Sequence, residues 1–306
     1  MSVEVKPRLP AVRSLPTGVG QQFHAADRGW RKTWKILTRN KVTLIGLCLI
    51  IFVVAFAAAG SPLMPFDPNE VNPTQKLDLP SRAHLLGTDQ FGRDLLSRMI
   101  SGAKVSLLLG AISIGLGLVI GVGLGSVAGF VGGWLDDVCM RAVDVLMSFP
   151  YIVLAIVLAA ALGPEPGNVV VILAILRIPI FARVSRGAVL TAVRSDYVLA
   201  AQAVGQTRIR VFLRHVLPNC LTSIVVVASL SIAAAITAEA AISFLGLGIR
   251  PPEATWGNML ADAYRYILIA PWMGVAPGLA ISLTVLGFNL LGDGLRDILD
   301  PRMRSA

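Results

Sequence analysis

Charge is scarce in this chain. Of its 306 residues only 15% are Asp, Glu, Lys or Arg, against roughly a quarter in soluble domains. Mean hydropathy is +0.72. That shortage excludes an ordinary water-soluble globule and points to a chain embedded in a bilayer. Cysteine and histidine are sparse too, three of each. Cys48, Cys139 and Cys220 lie far apart, which argues against a disulfide framework, and no Cys/His spacing matches a metal site. With no nucleophile–base arrangement and no metal cluster to assemble, the sequence predicts no catalysis and no cofactor or metal bound by this chain.

What is plentiful is long apolar sequence. Runs free of charge cover 42–66, 105–135, 145–164, 216–238 and 266–292, and a further run, 168–182, is broken only by Arg177. Each approaches or exceeds the length needed to cross a bilayer as a helix, about 20 residues. The reading is an all-α membrane protein with about six transmembrane helices. The division is a basic N-terminal segment (1–41), a first span and outer loop (42–104), a transmembrane core (105–292) and a short tail (293–306). The basic segment is too long, and the run after it too apolar, for a typical cleaved signal peptide. Trp30, Trp34 and Leu37 would share one face of a basic helix there, suited to anionic lipid or serving as an ordinary flank.

The basic residues are unevenly placed. Segment 1–41 holds nine against Glu4 and Asp27, loop 183–215 holds six arginines against Asp196, and three follow residue 293. Loop 61–104 is balanced, five basic against five acidic, and loops 163–167 and 250–265 share two basic residues. With six spans all the basic segments fall on one side, which the positive-inside rule makes cytoplasmic, together with both termini. The net charge of +9 then needs no nucleic acid to explain it.

Within the second span Gly117, Gly121, Gly125, Gly129 and Gly133 recur every fourth residue. This bares one helical face for close approach by another helix. Arg177 and Glu239 fall within or beside apolar runs, where ionisable groups face a cavity or a partner; Glu239 is placed near the outer end of its helix, at little cost. "GTDQFGRD" (87–94) nearly fits a phosphate-binding loop, but Arg93 stands where Lys is needed and Asp94 where Mg²⁺ needs a hydroxyl. It reads instead as a turn entering a helix at about Asp89. In the other outer loop Pro251, Pro252 and Gly257 frame a short helix, with Trp256, Tyr264, Tyr266 and Trp272 as interfacial anchors or a docking surface.

The segment "RSDYVLAAQAVGQTRIRVFLRHVLPN" (194–219) interrupts the oil. Ser195 or Asp196 can cap a helix to about residue 204, and Gly205 can end it in a left-handed conformation. Thr207 can cap a second helix that Pro218 closes at the mouth of the next span. Tyr197, Ala200, Ala201 and Val204 form a narrow face on the first. On the second, Ile209, Phe212 or Leu213, and Val216 form an apolar face, with Arg208, Arg210 and Arg214 polar. A DNA-binding helix-turn-helix is one reading, disfavoured by the short second helix and its membrane tether. A segment lying on lipid and a knob fitting a groove on a cytoplasmic partner remain, and the hinge and direct tether favour the knob.

The same stretch resembles the EAA loop of inner-membrane permeases of ATP-binding-cassette importers, with Ala200, Ala201, Gly205, Leu217 and Pro218 at the motif positions; the motif's acidic position is Leu199 here. "HLLGTDQFGRDLLSRMISGAKVSL" (84–107), "VDVLMSFP" (143–150), "ARVSRGAVL" (182–190), "AISFLGLGIRPPEATWGNML" (241–260) and "GFNLLGDGLRDILDPR" (287–302) are similar to the C-type permease of dipeptide, oligopeptide and nickel importers. The resemblance implies that loop 196–218, between the fourth and fifth spans, is a coupling helix docking on an ATPase subunit, with Arg208, Arg210 and Arg214 in the contact. It implies a bacterial inner-membrane location, a B-type permease partner, two ATPase subunits that bind ATP and Mg²⁺, and an extracytoplasmic binding protein. Peptides are the first expectation for substrate, with nickel complexes or other small solutes behind. A self-sufficient carrier is the alternative from another class; it would show more membrane carboxylates.

Overall fold

In the computed structural model residues 40–299 are described; the basic segment up to residue 39, with Trp30, Trp34 and Leu37, and the last seven residues lie outside them. The described residues are almost entirely helical, without a strand beyond one isolated antiparallel bridge between Thr88 and Asp94. Five helices are long and apolar enough to cross a membrane: α1 (Lys41–Ala59), α2 (Leu95–Val131), α5 (Pro166–Val193), the continuous run Arg208–Phe244, and α10 (Trp272–Leu299).

A sixth crossing is a bent pair. Helix α3 (Gly133–Ser148) and α4 (Tyr151–Leu162) meet at 92°, so the single span expected over 145–164 is corrected. Pro150 is the cause: it has no N–H to continue α3 and pushes the preceding Phe149 into extended backbone, φ −85°, ψ 137°. With 12 residues α4 is about 18 Å long, short of the roughly 30 Å hydrocarbon core.

Local chemistry sets the other boundaries. Asn40 caps α1 by accepting from Val42 N at 3.0 Å. Asp94, not Asp89, begins α2, accepting from Ser97 N at 2.8 Å, so the second span starts ten residues earlier than the apolar run 105–135 suggested. Hydrophobicity missed those residues because the first turns of α2 carry Arg98 and Lys104. Gly132 and Gly133 take φ +70° and +61° and end α2 before Gly133. That residue is therefore not on the glycine face; an added Cβ there would meet nothing within 4 Å.

The remaining four glycines do form a contact face, against α5. A Cβ at Gly117 would lie 3.1 Å from Ala174 O, at Gly121 2.7 Å from Ile178 O, and at Gly129 3.1 Å from Arg186 O. At Gly125 it would overlap Ala182 O. Partners rise in number together, so α2 and α5 run parallel, and the bent pair between them is the crossover. Sequence reasoning did not find a second glycine contact, Gly46 and Gly287 between α1 and α10. A Cβ on Gly46 would lie 2.8 Å from Leu291 N. These glycines belong to no repeat, so periodicity could not flag them.

The bundle has two distinct ends. A cap end gathers Ala57, Leu95, Met99, Ala254, Trp256 and Met273 in one cluster. A loop end gathers Val189, Ala192, Val198, Ala201, Val211, Val216 and Cys220.

Candidate functional site

At the loop end, α6 (Asp196–Ala203) follows Ser195, and Asp196 sits in its first turn, where a negative charge favours the helix dipole. Gly205 takes φ +80°. Its N–H donates to Gln202 O at 2.9 Å and Gln206 N–H donates to Ala201 O at 3.2 Å. This is the Schellman pattern that lets a left-handed residue stop a helix. Gln206 Oε1 and His215 Nε2, 2.9 Å apart, tie the hinge to the helix beyond it.

That helix does not close at Pro218. A short α7 (Arg208–Val211) passes into a π-helical turn at Phe212–Val216 and on into α8 (Leu217–Phe244) without a break. Leu217 N–H donates to Phe212 O, five residues back. Widening the helix by one residue accommodates the missing N–H and bulky ring of Pro218. The expectation of a helix stop is thus corrected to a helix continued through a π turn. The loop is joined to its span by continuous helix.

The loop is rooted in the bundle. Val198 and Ala201 of α6, and Val211 and Val216, are buried against Val189 and Ala192 of α5 and Cys220 and Ile224 of α8. Leu118, Val122 and Phe130 of α2 pack on the same cluster. Phe130 and Phe212 lie with ring centroids 4.8 Å apart. The loop is therefore packed against three spanning helices.

The outward face differs from the faces expected. Ala201 points in, while Tyr197, Ala200 and Val204 are exposed; Phe212 and Val216 point in, while Ile209 and Leu213 are exposed. Val211, not Ile209, is buried in line with Val216, because the π turn shifts the register. Leu199 is 52% exposed, Val204 76% and Ile209 73%. Arg208, Arg210, Arg214 and Pro218 are exposed beside them, and Leu217 is half-buried. The site is an apolar surface set among guanidinium groups, with no described cluster of His, Cys, Asp or Glu suited to a metal.

The phosphate-like loop at the cap end is filled by its own carboxylate. Asp89 Oδ1 accepts from Phe91 N at 2.8 Å and Arg93 N at 3.0 Å, and Oδ2 takes Arg93 Nε at 2.6 Å. Arg98 Nε lies 3.5 Å from the same carboxylate. Asp94 caps α2 and pairs with His84 at 2.9 Å. The donors that could cradle a phosphate are occupied.

Between α8 and α9 (Trp256–Arg265), Glu239 is 1% exposed, contrary to a cheap site near the helix end. It accepts from Ser243 Oγ at 2.8 Å and Ser106 Oγ at 3.3 Å. Ser106 Oγ also accepts from Trp256 N. Trp256 is no interfacial anchor: it is buried, its indole N–H donating to Met99 O at 3.2 Å. Tyr264 is exposed and Tyr266 and Trp272 are half-buried.

Fold and site together define a polytopic helical membrane protein with a helix–hinge–helix presented at one end. Residues 121–305 match the family described as binding-protein-dependent transport system inner membrane component, and residues 29–80 match the N-terminal transmembrane domain of oligopeptide transport permease C. The chain is 41% identical over 282 residues to the dipeptide transport system permease protein DppC of Alkalihalophilus pseudofirmus, covering 92% of this chain and 93% of that one. It is 43% identical over 277 residues to the glutathione transport system permease protein GsiD of Pectobacterium atrosepticum, covering 90% and 92%. The fold is similar to that of an inward-facing MetNI methionine ABC transporter chain, TM-score 0.54 at 19% identity, covering 66% of this chain and 96% of that one. The chain therefore belongs to the inner-membrane-component family of binding-protein-dependent transport systems, the permease subunits of ATP-binding-cassette importers.

Proposed function

We propose that the chain forms half of the translocation pathway of a bacterial inner-membrane importer of di- and tripeptides. It pairs with a homologous B-type permease, receives substrate from an extracytoplasmic binding protein at the cap end, and docks ATPase subunits at the loop end. The observation that carries this is the outward face of 196–218, apolar and arginine-rimmed, rooted in a buried cluster shared by α2, α5 and α8. The uneven distribution of Lys and Arg favours the loop end and both termini as cytoplasmic. Peptide as the cargo is supported by the dipeptide and glutathione permeases to which the chain is similar.

In this reading the chain binds no nucleotide; ATP and Mg²⁺ are held by the partner ATPases. Their closure pushes on α6, and the continuous helix 208–244 and the packed cluster convert the push into movement of the spans. The ATPases shift the equilibrium only through contacts that differ between outward- and inward-open states. With Leu199 in place of an acidic residue, docking rests on apolar fit and the arginines. The test is dialanine uptake into proteoliposomes holding both permeases, both ATPases and the binding protein. Uptake that needs ATP and all the chains is expected. Uptake by this chain alone, without ATP, would make it a carrier.

A further inference from the structure

Arg177 is the one charge among the described residues that the fold and the docking face leave unexplained at mid-membrane depth. It lies within about 4 Å of the midpoint of α5 at the α-helical rise. The other two arginines of α5 have carboxylates: Arg183 meets Asp144 and Arg186 meets Asp136, each at 2.6 Å. Among the described residues Arg177 has none. Its Nη2 donates to the hydroxyl of Tyr151 at 2.9 Å, with the guanidinium carbon 5.0 Å from that ring's centroid, and its Nε is buried without a partner.

Both side chains line a cavity of about 310 Å³ in the inner corner of the α3–α4 bend. The rest of the wall is apolar, including Leu146, Phe149, Leu154 and Ile175, and no acidic residue lines it. Its size falls at the lower end of small-molecule sites, roughly 300–1,000 Å³. An ionised group this deep faces a cavity or a partner rather than lipid.

We propose that Arg177 and Tyr151 form a carboxylate-binding station that holds the C-terminal end of a peptide part-way along the translocation pathway. The inference rests on the peptide-permease reading. The donors suit the task. Tyr151 accepts from Arg177, which leaves its own proton for another acceptor, and the guanidinium carries further N–H donors beyond the one given to Tyr151. Charge-assisted bonds from such a pair suit a two-oxygen acceptor. A free carboxylate is the one anionic group every unmodified peptide carries whatever its side chains. The apolar wall makes no further demand on sequence, and the lack of an acidic group disfavours the ammonium end.

Two measurements on the assembled importer test this. In proteoliposome uptake of dialanine at saturating binding protein, Arg177→Gln should lower the maximal rate about tenfold or more, Tyr151→Phe about threefold, and Arg177→Lys clearly less than Gln. Basal ATP hydrolysis and recovery of the partner chains should be unchanged. Wild-type rates in Arg177→Gln would overturn the station. So would a Lys variant as poor as Gln, or loss of the partner permease, which would make Arg177 a packing or subunit-pairing residue. Independently of transport, a dipeptide ending in benzoylphenylalanine should photolabel the peptides around 146–154 and 175–180. Dialanine should compete and dialanine amide should not, and Arg177→Gln should abolish the labelling. Labelling indifferent to Arg177 would contradict the station while leaving the permease reading intact. ATP-independent uptake with Arg177-dependent labelling would do the reverse.

Discussion

At the cap end the charged groups answer one another. Asp89 is buried between Arg93 and Arg98, Asp94 holds His84 and the start of α2, and Glu239 is met by two serine hydroxyls. At the loop end Arg208, Arg210 and Arg214 lie exposed beside Leu199, Val204 and Ile209. A group satisfied within its own chain stiffens that chain. A group left open in a folded protein, next to uncovered apolar surface, is available to another. The cap end follows the first pattern, and the exposed face of 196–218 the second, as the proposed docking of a partner there requires.

The comparison is broken most severely by removing Asp89. In Asp89→Ala two buried guanidinium groups lose their carboxylate, which should cost about 3–5 kcal/mol. The readout is a large fall in the thermal midpoint of the purified complex and in the amount reaching the membrane; an unchanged midpoint would mean the cap end is not held by this ion cluster. Next comes Gly125→Ala, which forces α2 away from the Ala182 carbonyl and should cost about 1–3 kcal/mol through overpacking. The neighbouring Gly123, where an added Cβ meets nothing within 4 Å, is the control: Gly123→Ala should be neutral or slightly stabilising.

Smaller still is Gly205→Ala. Open space surrounds Gly205, so only the positive φ is penalised, by about 1–2 kcal/mol. The loss should appear as weaker coupling of ATP hydrolysis to uptake, with near-normal membrane levels. Smallest in stability is Val204→Asp, on a side chain with little packing to lose. The thermal midpoint of the permease pair purified without ATPases should match wild type, while the ATPases are lost from the assembled complex. That separation of stability from assembly is what the loop end predicts and the cap end does not.

The parts of this molecule that were legible in the sequence are those set by local chemistry or by period. Gly205 required a left-handed residue, and the φ of +80° follows; Gly117, Gly121, Gly125 and Gly129 announced a close helix contact by recurring every fourth residue. Hydropathy located the spans but could not see α2 begin at Leu95 among charged residues, nor α3 and α4 bend at Pro150 within one apolar run. The π turn at Phe212–Val216 escaped because Pro218 reads as a helix stop, whereas a widened turn lets the helix run on past it. For that reason Ile209 is grouped by spacing with Val216 on one apolar face, and Val211 is overlooked. Arg177 was visible as an oddity, but Tyr151, its only polar contact among the described residues, is 26 residues away.

The most direct test of the central claim is co-purification of the ATPase subunits with a tagged chain carrying Val204→Asp and Ile209→Asp together. The account predicts that the partner permease is recovered in full, the ATPases are absent, and the permease pair measured without ATPases has the wild-type thermal midpoint. Full recovery of the ATPases with the doubly substituted chain would contradict it, and the outward face of 196–218 would then not be where the ATPases grip.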